Sequence, residues 1–389
     1  MGNKKTIDDF TYSIQLTQEL VKYNTYDNDL DKLNSLKFVE QEIKKYTKAD
    51  VKIYENEVNG PLLISTLEIE NPKFKLLLQG HVDVVSPEGV QDPFEAIIKD
   101  NIMYGRGTCD MKGGCASIIN AFIKSAQLEN QTGNIYLVLT MDEEYSSQQI
   151  IDILKKEYIP KCDFGIIAEP TEMQVITCHK GNAWVDVDFV GKTAHASTPE
   201  KGVNAIYMAS EFINQLKIDL IDSYESQGDE FFGKPTLNVG VINGGSKPNV
   251  VASECNVRLD KRYLPGDCIE TFIEEIEDVI KTCKQKNPDF KARINVIGDW
   301  PSVVVERDNK NLLKLKSILE SSLNKDVEFT VGNFWGEGGF IQQQGIPVVY
   351  YGPGSISYAH TPNEHIIIDE IVEVSKGYFE IIKGMCFEN

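Results

Sequence analysis

The sequence predicts an α/β protein: a mainly parallel sheet sandwiched by helices, interrupted by a smaller α+β insert. Three observations carry this reading. Apolar, strand-like runs alternate with helix-like runs up to about residue 181, the signature of a parallel sheet covered on both faces. Near residue 182 the pattern changes to the apolar–polar alternation of half-exposed antiparallel strands. After about residue 296 the first pattern resumes. Residues 1–181 and 296–389 therefore read as one discontinuous domain and 182–295 as an inserted one.

The elements follow in order. "FKLLLQGHVDVVS", "NIYLVLTMDE" and "CDFGIIAEPT" each run as an apolar strand ending in polar residues, and "CASIINAFIKSAQ" and "QQIIDILKKEY" between them have helical character. His81, Glu143, Glu144 and Glu169 all fall at the carboxyl ends of these strands, where open α/β sheets bind their ligands. In the insert, the strand "NAWVDVDFVG" is followed by the helix-like "GVNAIYMASEFINQLK" and the strands "TLNVGVING" and "ASECNVRLDKRYL". The acidic run "IETFIEEIEDVIKTCKQ" then reads as an amphipathic helix, solvated on one face and apolar on the other. Two helices thus back a small antiparallel sheet. "GIPVVYYGPG" returns to the buried strand pattern.

Composition narrows the partners. A formal net charge of −20 repels nucleic acid and anionic membrane surfaces. Tyr and Phe show no spacing suited to stacking on bases. No stretch approaches the twenty apolar residues of a membrane span, and "MGNKKTIDDF" lacks the apolar core of a secretory signal. Gly2 and Thr6 fit the N-myristoylation pattern, a short pattern often met by chance. The eight cysteines are scattered without a CxxC pair, so they read as reduced thiols of a cytoplasmic protein.

The chain has five histidines. His81 and Asp83 in "GHVDVV" read alone as an ordinary hydrogen-bonded pair, and Asp110 in "YGRGTCDMKGG" reads equally as a helix N-cap. With His81 and Asp110, Glu144 in "MDEE", Glu169 in "AEPT" and His360 in "YAHTPNEH" make a set of two imidazoles and three carboxylates. Zinc accepts these donors, and two metals sharing a bridging carboxylate need about this inventory.

In their order and spacing these segments, with "GKTAHAS" and the late histidine, resemble the acetylornithine deacetylase / succinyl-diaminopimelate desuccinylase family. Aminoacylases, carboxypeptidases and dipeptidases are its relatives. The resemblance implies a zinc-peptidase-like catalytic domain with a lid of four antiparallel strands and two helices, through which a homodimer forms. It implies two divalent cations, zinc or alternatively cobalt: His81 and Glu169 on one, Glu144 and His360 on the other, and Asp110 bridging. Asp83 would hold the His81 ring, Glu143 would be the general base, and His195 would stabilise the oxyanion. Asn249, Arg262 and Gly354 would contact substrate. His179 and His365 match no ligand position and read as structural or exposed.

The implied activity is hydrolysis of an N-acyl amino acid or diamine, with a dipeptidase or carboxypeptidase-type exopeptidase, or a non-catalytic scaffold, as the alternatives. Two departures stand out. Ser146 replaces the family's glycine after the glutamate pair, and "NFWGEGGF" places Trp335, Gly336 and Glu337 where a threonine–serine–aspartate segment is usual.

Overall fold

The computed structural model describes residues 9–55, 59–228 and 231–388; Gly2 and Thr6 of the myristoylation pattern lie outside them. The chain forms two compact units. The first comprises residues up to Cys178, Val305–Gly332 and Gly336 onward; the second comprises His179–Val304 and Asn333–Trp335.

In the first unit the strands are β1 (Asp50–Tyr54), β2 (Leu62–Leu67), β3 (Lys75–His81), β4 (Ile97–Lys99), β5 (Ile102–Tyr104), β6 (Asn134–Thr140), β7 (Phe164–Ile167) and β8 (Val175–His179). Its first helices are α1 (Tyr12–Val21), α2 (Asp29–Tyr46), α3 (Gly113–Ser125) and α4 (Gln148–Lys155). The main sheet runs β1-β2-β6-β3-β7, then strand Val348–Tyr350, then β8. β3 lies parallel to both β6 and β7, and β7 is parallel to Val348–Tyr350. The flanking strands β2 and β8 are antiparallel to their neighbours.

β6 and β7 are buried at every position and β3 at all but its first, which is why these strands read as continuous apolar runs without alternation. α3 packs with α1 and with helix Ile368–Cys386, and only Lys124 in α3 escapes burial. Its first turn comes so close to the end of β7 that a Cβ on Gly114 would lie 1.9 Å from the Ala168 carbonyl oxygen. A small sheet of β4, β5 and strand His365–Ile367 completes the unit.

The second unit has strands β9 (Gly181–Val190), β10 (Thr236–Gly244), β11 (Glu254–Tyr263) and β12 (Ala292–Trp300), ordered β10-β11-β9-β12 and antiparallel throughout. On β9, Ala183, Val185, Val187 and Phe189 face a core with Met208 and Phe212 of helix α5 (Ala205–Leu216) and Phe272, Ile276 and Val279 of helix Ile269–Lys286. The intervening Asp186 and Asp188 face the other way and pair with Arg258 and with Asn256 and Asn295. This is the period-two alternation seen in the sequence.

The sequence-based boundary at 295/296 falls inside β12. A bulge between Val296 and Gly298 breaks the alternation there, so the strand's last residues do not read as its continuation. Asn333–Trp335 were assigned from sequence to the first unit but group with the second. Trp335 packs on Trp300 (centroids 5.0 Å apart), and Trp300 on Trp184 (5.1 Å).

Candidate metal centre

Three of the strand ends supply ligand-type side chains directly. His81 ends β3, Glu143 and Glu144 follow β6, and Glu169 follows β7. Asp110 lies in the bend between Gly107 and α3, and His360 in a loop before strand His365–Ile367. Asp110 falls in a short π-helical turn, Thr108–Lys112, but its own backbone angles (φ −120°, ψ 98°) are not helical.

The side chains converge on Asp110. Its Oδ1 is 3.2 Å from His81 Nε2, and its Oδ2 is 3.2 Å from His360 Nε2. Glu169 Oε1 lies 3.5 Å from the same His81 nitrogen, and Glu144 Oε1 3.1 Å from that of His360. Three donor groups result among the described residues, His81–Asp110–Glu169, Asp110–Glu144–His360 and His81–Glu143–Glu144, each with donor atoms within 4.8 Å of one another. Glu143 Oε2 stands 3.9 Å from His81 Nε2. Asp83 lies on the far side of the His81 ring, its carbonyl oxygen 3.2 Å from Nδ1, and its Oδ2 accepts the Glu144 N–H at 3.0 Å. One aspartate thus contacts a residue of each half.

The electrostatics show what the cluster needs. Burial raises the pKa values of Glu143 and Glu169 well above the usual carboxylate range and that of Glu144 to about 7. Hydrogen bonds to Asp110 and Glu144 pull His360 up to about 10. Burial opposes a charge on His81, but Glu169, Asp110 and Asp83 outweigh it and raise the ring's pKa. Buried glutamates that favour the protonated form, around an Asp110 that, against its burial, hydrogen bonds to the His360 and His81 rings hold well below the usual carboxylate range, mark a site short of positive charge. Two divalent cations meet that demand with these donor types, displacing the protons as they bind. The residues fit a pair of metals.

Two further groups adjoin the cluster: Glu364, which the sequence does not single out, and Glu337, which it marks only as the acidic residue of "NFWGEGGF". Glu364 is buried beside Arg106, with which it forms an ion pair, and it accepts backbone N–H bonds from the Asp110 bend. Its signal was the glutamate four residues after His360 in "HTPNE". Glu337 is also buried, and one of its oxygens accepts from Gln79 Nε2 and from Thr140 Oγ1 (2.9 Å for the latter).

Gly354 has φ +84°, and a Cβ there would lie 2.8 Å from Cys109 Sγ. Its N–H donates to Glu370 Oε2 at 2.8 Å. His195, Asn249 and Arg262 belong to the second unit. The His195 and Asn249 loops are joined by the Ala196 N–H, which donates to the Asn249 carbonyl at 3.1 Å. His195 is exposed, and its Nδ1 lies 2.7 Å from Ser197 Oγ. Arg262 is held through Nε by Asp260 Oδ1 at 2.9 Å. His179 is buried, and burial depresses its pKa to about 4.

An α/β sheet that gathers imidazoles and carboxylates at its strand ends in this way defines a metallohydrolase. The chain belongs to the Peptidase family M20/M25/M40, whose family model matches residues 77–384. The chain is 32% identical over 320 residues to the acetylornithine deacetylase of Photorhabdus laumondii, covering 81% of this chain and 80% of that one. Among solved structures it is similar to a tripeptidase from Staphylococcus aureus, with a TM-score of 0.77, 25% identity and coverage of 96% and 98% of the two chains. It also shares the fold of the Bacillus subtilis YxeP protein, a dinuclear metal binding peptidase, with a TM-score of 0.72, 13% identity and coverage of 96% and 97%. The protein is a hydrolase of amide bonds.

Proposed function

We propose that the protein is a two-metal deacylase that releases an amino acid or diamine from its N-acyl form. The observation that carries this reading is the arrangement at Asp110: one carboxylate faces two histidines through different oxygens, with a further buried carboxylate, Glu143, beside the cluster. The resemblance to acetylornithine deacetylases over 81% of the chain favours an N-acyl substrate over a peptide.

His81 and Glu169 would hold one cation and Glu144 and His360 the other, with Asp110 between them. When bound, such ions lower the pKa of a water from about 15.7 toward neutrality and polarise an acyl oxygen. Glu143 takes the proton of the attacking water and returns it to the departing amine. Asp83 keeps the His81 ring turned toward the cluster. His195 is assigned to the oxyanion through a ring N–H, a type of donor that contributes strongly to amide cleavage. Arg262, held by Asp260, is assigned to the substrate carboxylate, whose two oxygens suit a planar guanidinium. Asn249 and Gly354 complete the proposed substrate contacts.

Zinc is the proposed metal, with cobalt as the alternative. The proposed homodimer forms through the second unit, whose edge strands expose Val241 and Ile242 on β10 and Val296 on β12. A cytoplasmic location is proposed on the eight free cysteines; among the described residues no helix is long and apolar enough to cross a membrane.

The test is an activity screen of metal-depleted protein, before and after zinc or cobalt addition, on N-acetylornithine, N-succinyl-diaminopimelate and simple dipeptides. Hydrolysis of an N-acyl substrate that appears only with metal is the expected result. Cleavage of dipeptides alone reassigns the protein as an exopeptidase, and no hydrolysis by the metal-loaded protein reduces it to a scaffold.

A further inference from the structure

Asp110 departs from helical backbone angles within the turn Thr108–Lys112, yet it must present one oxygen to each half of the centre. One buried side chain gathers the backbone N–H groups on the turn's near side. Glu364 Oε1 accepts three backbone N–H bonds, from Gly107 at 2.9 Å, Cys109 at 3.1 Å and Asp110 itself at 3.1 Å. Its other oxygen pairs with Arg106 Nη1. Arg106 in turn donates from Nε and Nη2 to the Ser86 carbonyl at 3.2 and 3.0 Å. Glu364 and Arg106 are only 1% and 2% exposed.

We propose that Glu364 is the positioning residue of the metal centre. It gathers the N–H groups of the Asp110 bend onto one carboxylate oxygen and so presets the bridging ligand. The same residue ties together the three loops that follow or carry His81, Asp110 and His360. Ser86 lies five residues beyond His81 and is reached through Arg106, while Glu364 lies four residues beyond His360. A plain structural ion pair would need only Arg106. Three N–H groups aimed at the oxygen that Arg106 does not use show a second task, the shaping of the bend. Glu364 touches neither the reacting atoms nor a metal, so its effect runs through Asp110.

The inference rests on the reading of Asp110 as a metal ligand, and its test reads metal binding rather than turnover. Metal-free wild type, Glu364→Gln, Arg106→Lys and the neutral pair Arg106→Gln/Glu364→Gln are titrated with zinc against a chromophoric chelator. The thermal midpoint of each metal-free protein is measured alongside. An amide at 364 turns an N–H group toward Arg106 or toward the bend, so both Glu364 variants should bind zinc about 10–100-fold more weakly. Arg106→Lys, which keeps the acceptor for the bend, should stay close to wild type. The neutral pair removes the unpaired buried charge and should keep its midpoint, which separates a displaced ligand from a damaged fold. At saturating zinc, Glu364→Gln should lower kcat and leave KM nearly unchanged, as expected of a displaced centre with its substrate contacts intact. Wild-type zinc affinity in both Glu364 variants overturns the inference. So does an affinity loss in Arg106→Lys equal to that of Glu364→Gln, which would assign the effect to the ion pair. A wild type that takes up no zinc overturns the metal-centre reading instead.

Discussion

Glu143 and Glu144 are adjacent and chemically identical, yet their surroundings separate them. After β6 the chain turns on Asp142, whose carbonyl oxygen accepts from the N–H groups of Tyr145, Ser146 and Ser147 at 3.3, 2.9 and 2.8 Å. That turn sends Glu144 toward His360 and leaves Glu143 beside His81. This placement is the basis for proposing Glu144 as a metal ligand and Glu143 as the proton carrier. Glu143→Gln should therefore cut turnover about 10²–10⁴-fold, with zinc content by atomic absorption unchanged. Near-normal turnover in that variant would remove Glu143 from the mechanism. The family glycine that Ser146 replaces is not needed for backbone reasons, because the left-handed residue of the turn is Ser147, at φ +51°. The Ser146 hydroxyl instead donates to Asp142 Oδ2 at 2.8 Å. Ser146→Gly should lower stability by about 1 kcal/mol in denaturant titrations, and a stabilised variant would show that this bond contributes nothing.

The strands that carry the centre were legible in the sequence for a physical cause. β3, β6 and β7 are buried on both faces, so unbroken apolar runs mark them, and a polar residue marks each end. The Asp110 bend and the His360 loop could not be read that way, because the bend departs from any regular period and donates its hydrogen bonds to Glu364, far along the chain. The three-residue strands β4 and β5 were equally silent, being too short to show a period. Packing sets the tolerance of these elements. Gly114→Ala would drive a methyl group into the Ala168 carbonyl next to Glu169, so α3 must move. A loss of about 1–3 kcal/mol, together with weaker zinc binding through Glu169, is the expected outcome; a calorimetric midpoint and zinc affinity equal to wild type would contradict it.

Glu337, at the start of helix Gly338–Gln343, ties the ends of β3 and β6 together through Gln79 and Thr140. Burial, with Asp142 adding to it, pushes its pKa from 4.5 up to about 8. The folded protein therefore keeps a proton that the unfolded chain releases. The stabilisation this provides is whole below pH 4.5 and fades as pH rises toward 8, at roughly 1.4 kcal/mol per unit. In metal-free protein, Glu337→Gln should flatten the decline in stability between those values. Parallel curves for variant and wild type would show that Glu337 does not carry it.

The insert was visible from sequence because its strands alternate and those of the main sheet do not. Its true limits were hidden by the bulge in β12 and by the return of Asn333–Trp335, which only the packing of Trp335 on Trp300 reveals. The consequence for the molecule is two cores of different kinds. The second unit closes its own core from β9, β11, α5 and helix Ile269–Lys286, whereas every proposed metal ligand belongs to the first unit. A ligand stabilises only the unit whose folded state binds it, by about 4 kcal/mol when its free concentration is a thousandfold above the dissociation constant. Scanning calorimetry of the metal-free protein should therefore resolve two transitions, and zinc should raise the midpoint of the first unit's transition alone. Glu144→Ala should reduce that zinc-dependent shift while leaving the other transition where it was. A single transition that moves as a whole with zinc would show instead that the two cores unfold as one cooperative body, and that the metal centre stabilises the insert as much as the sheet that carries it.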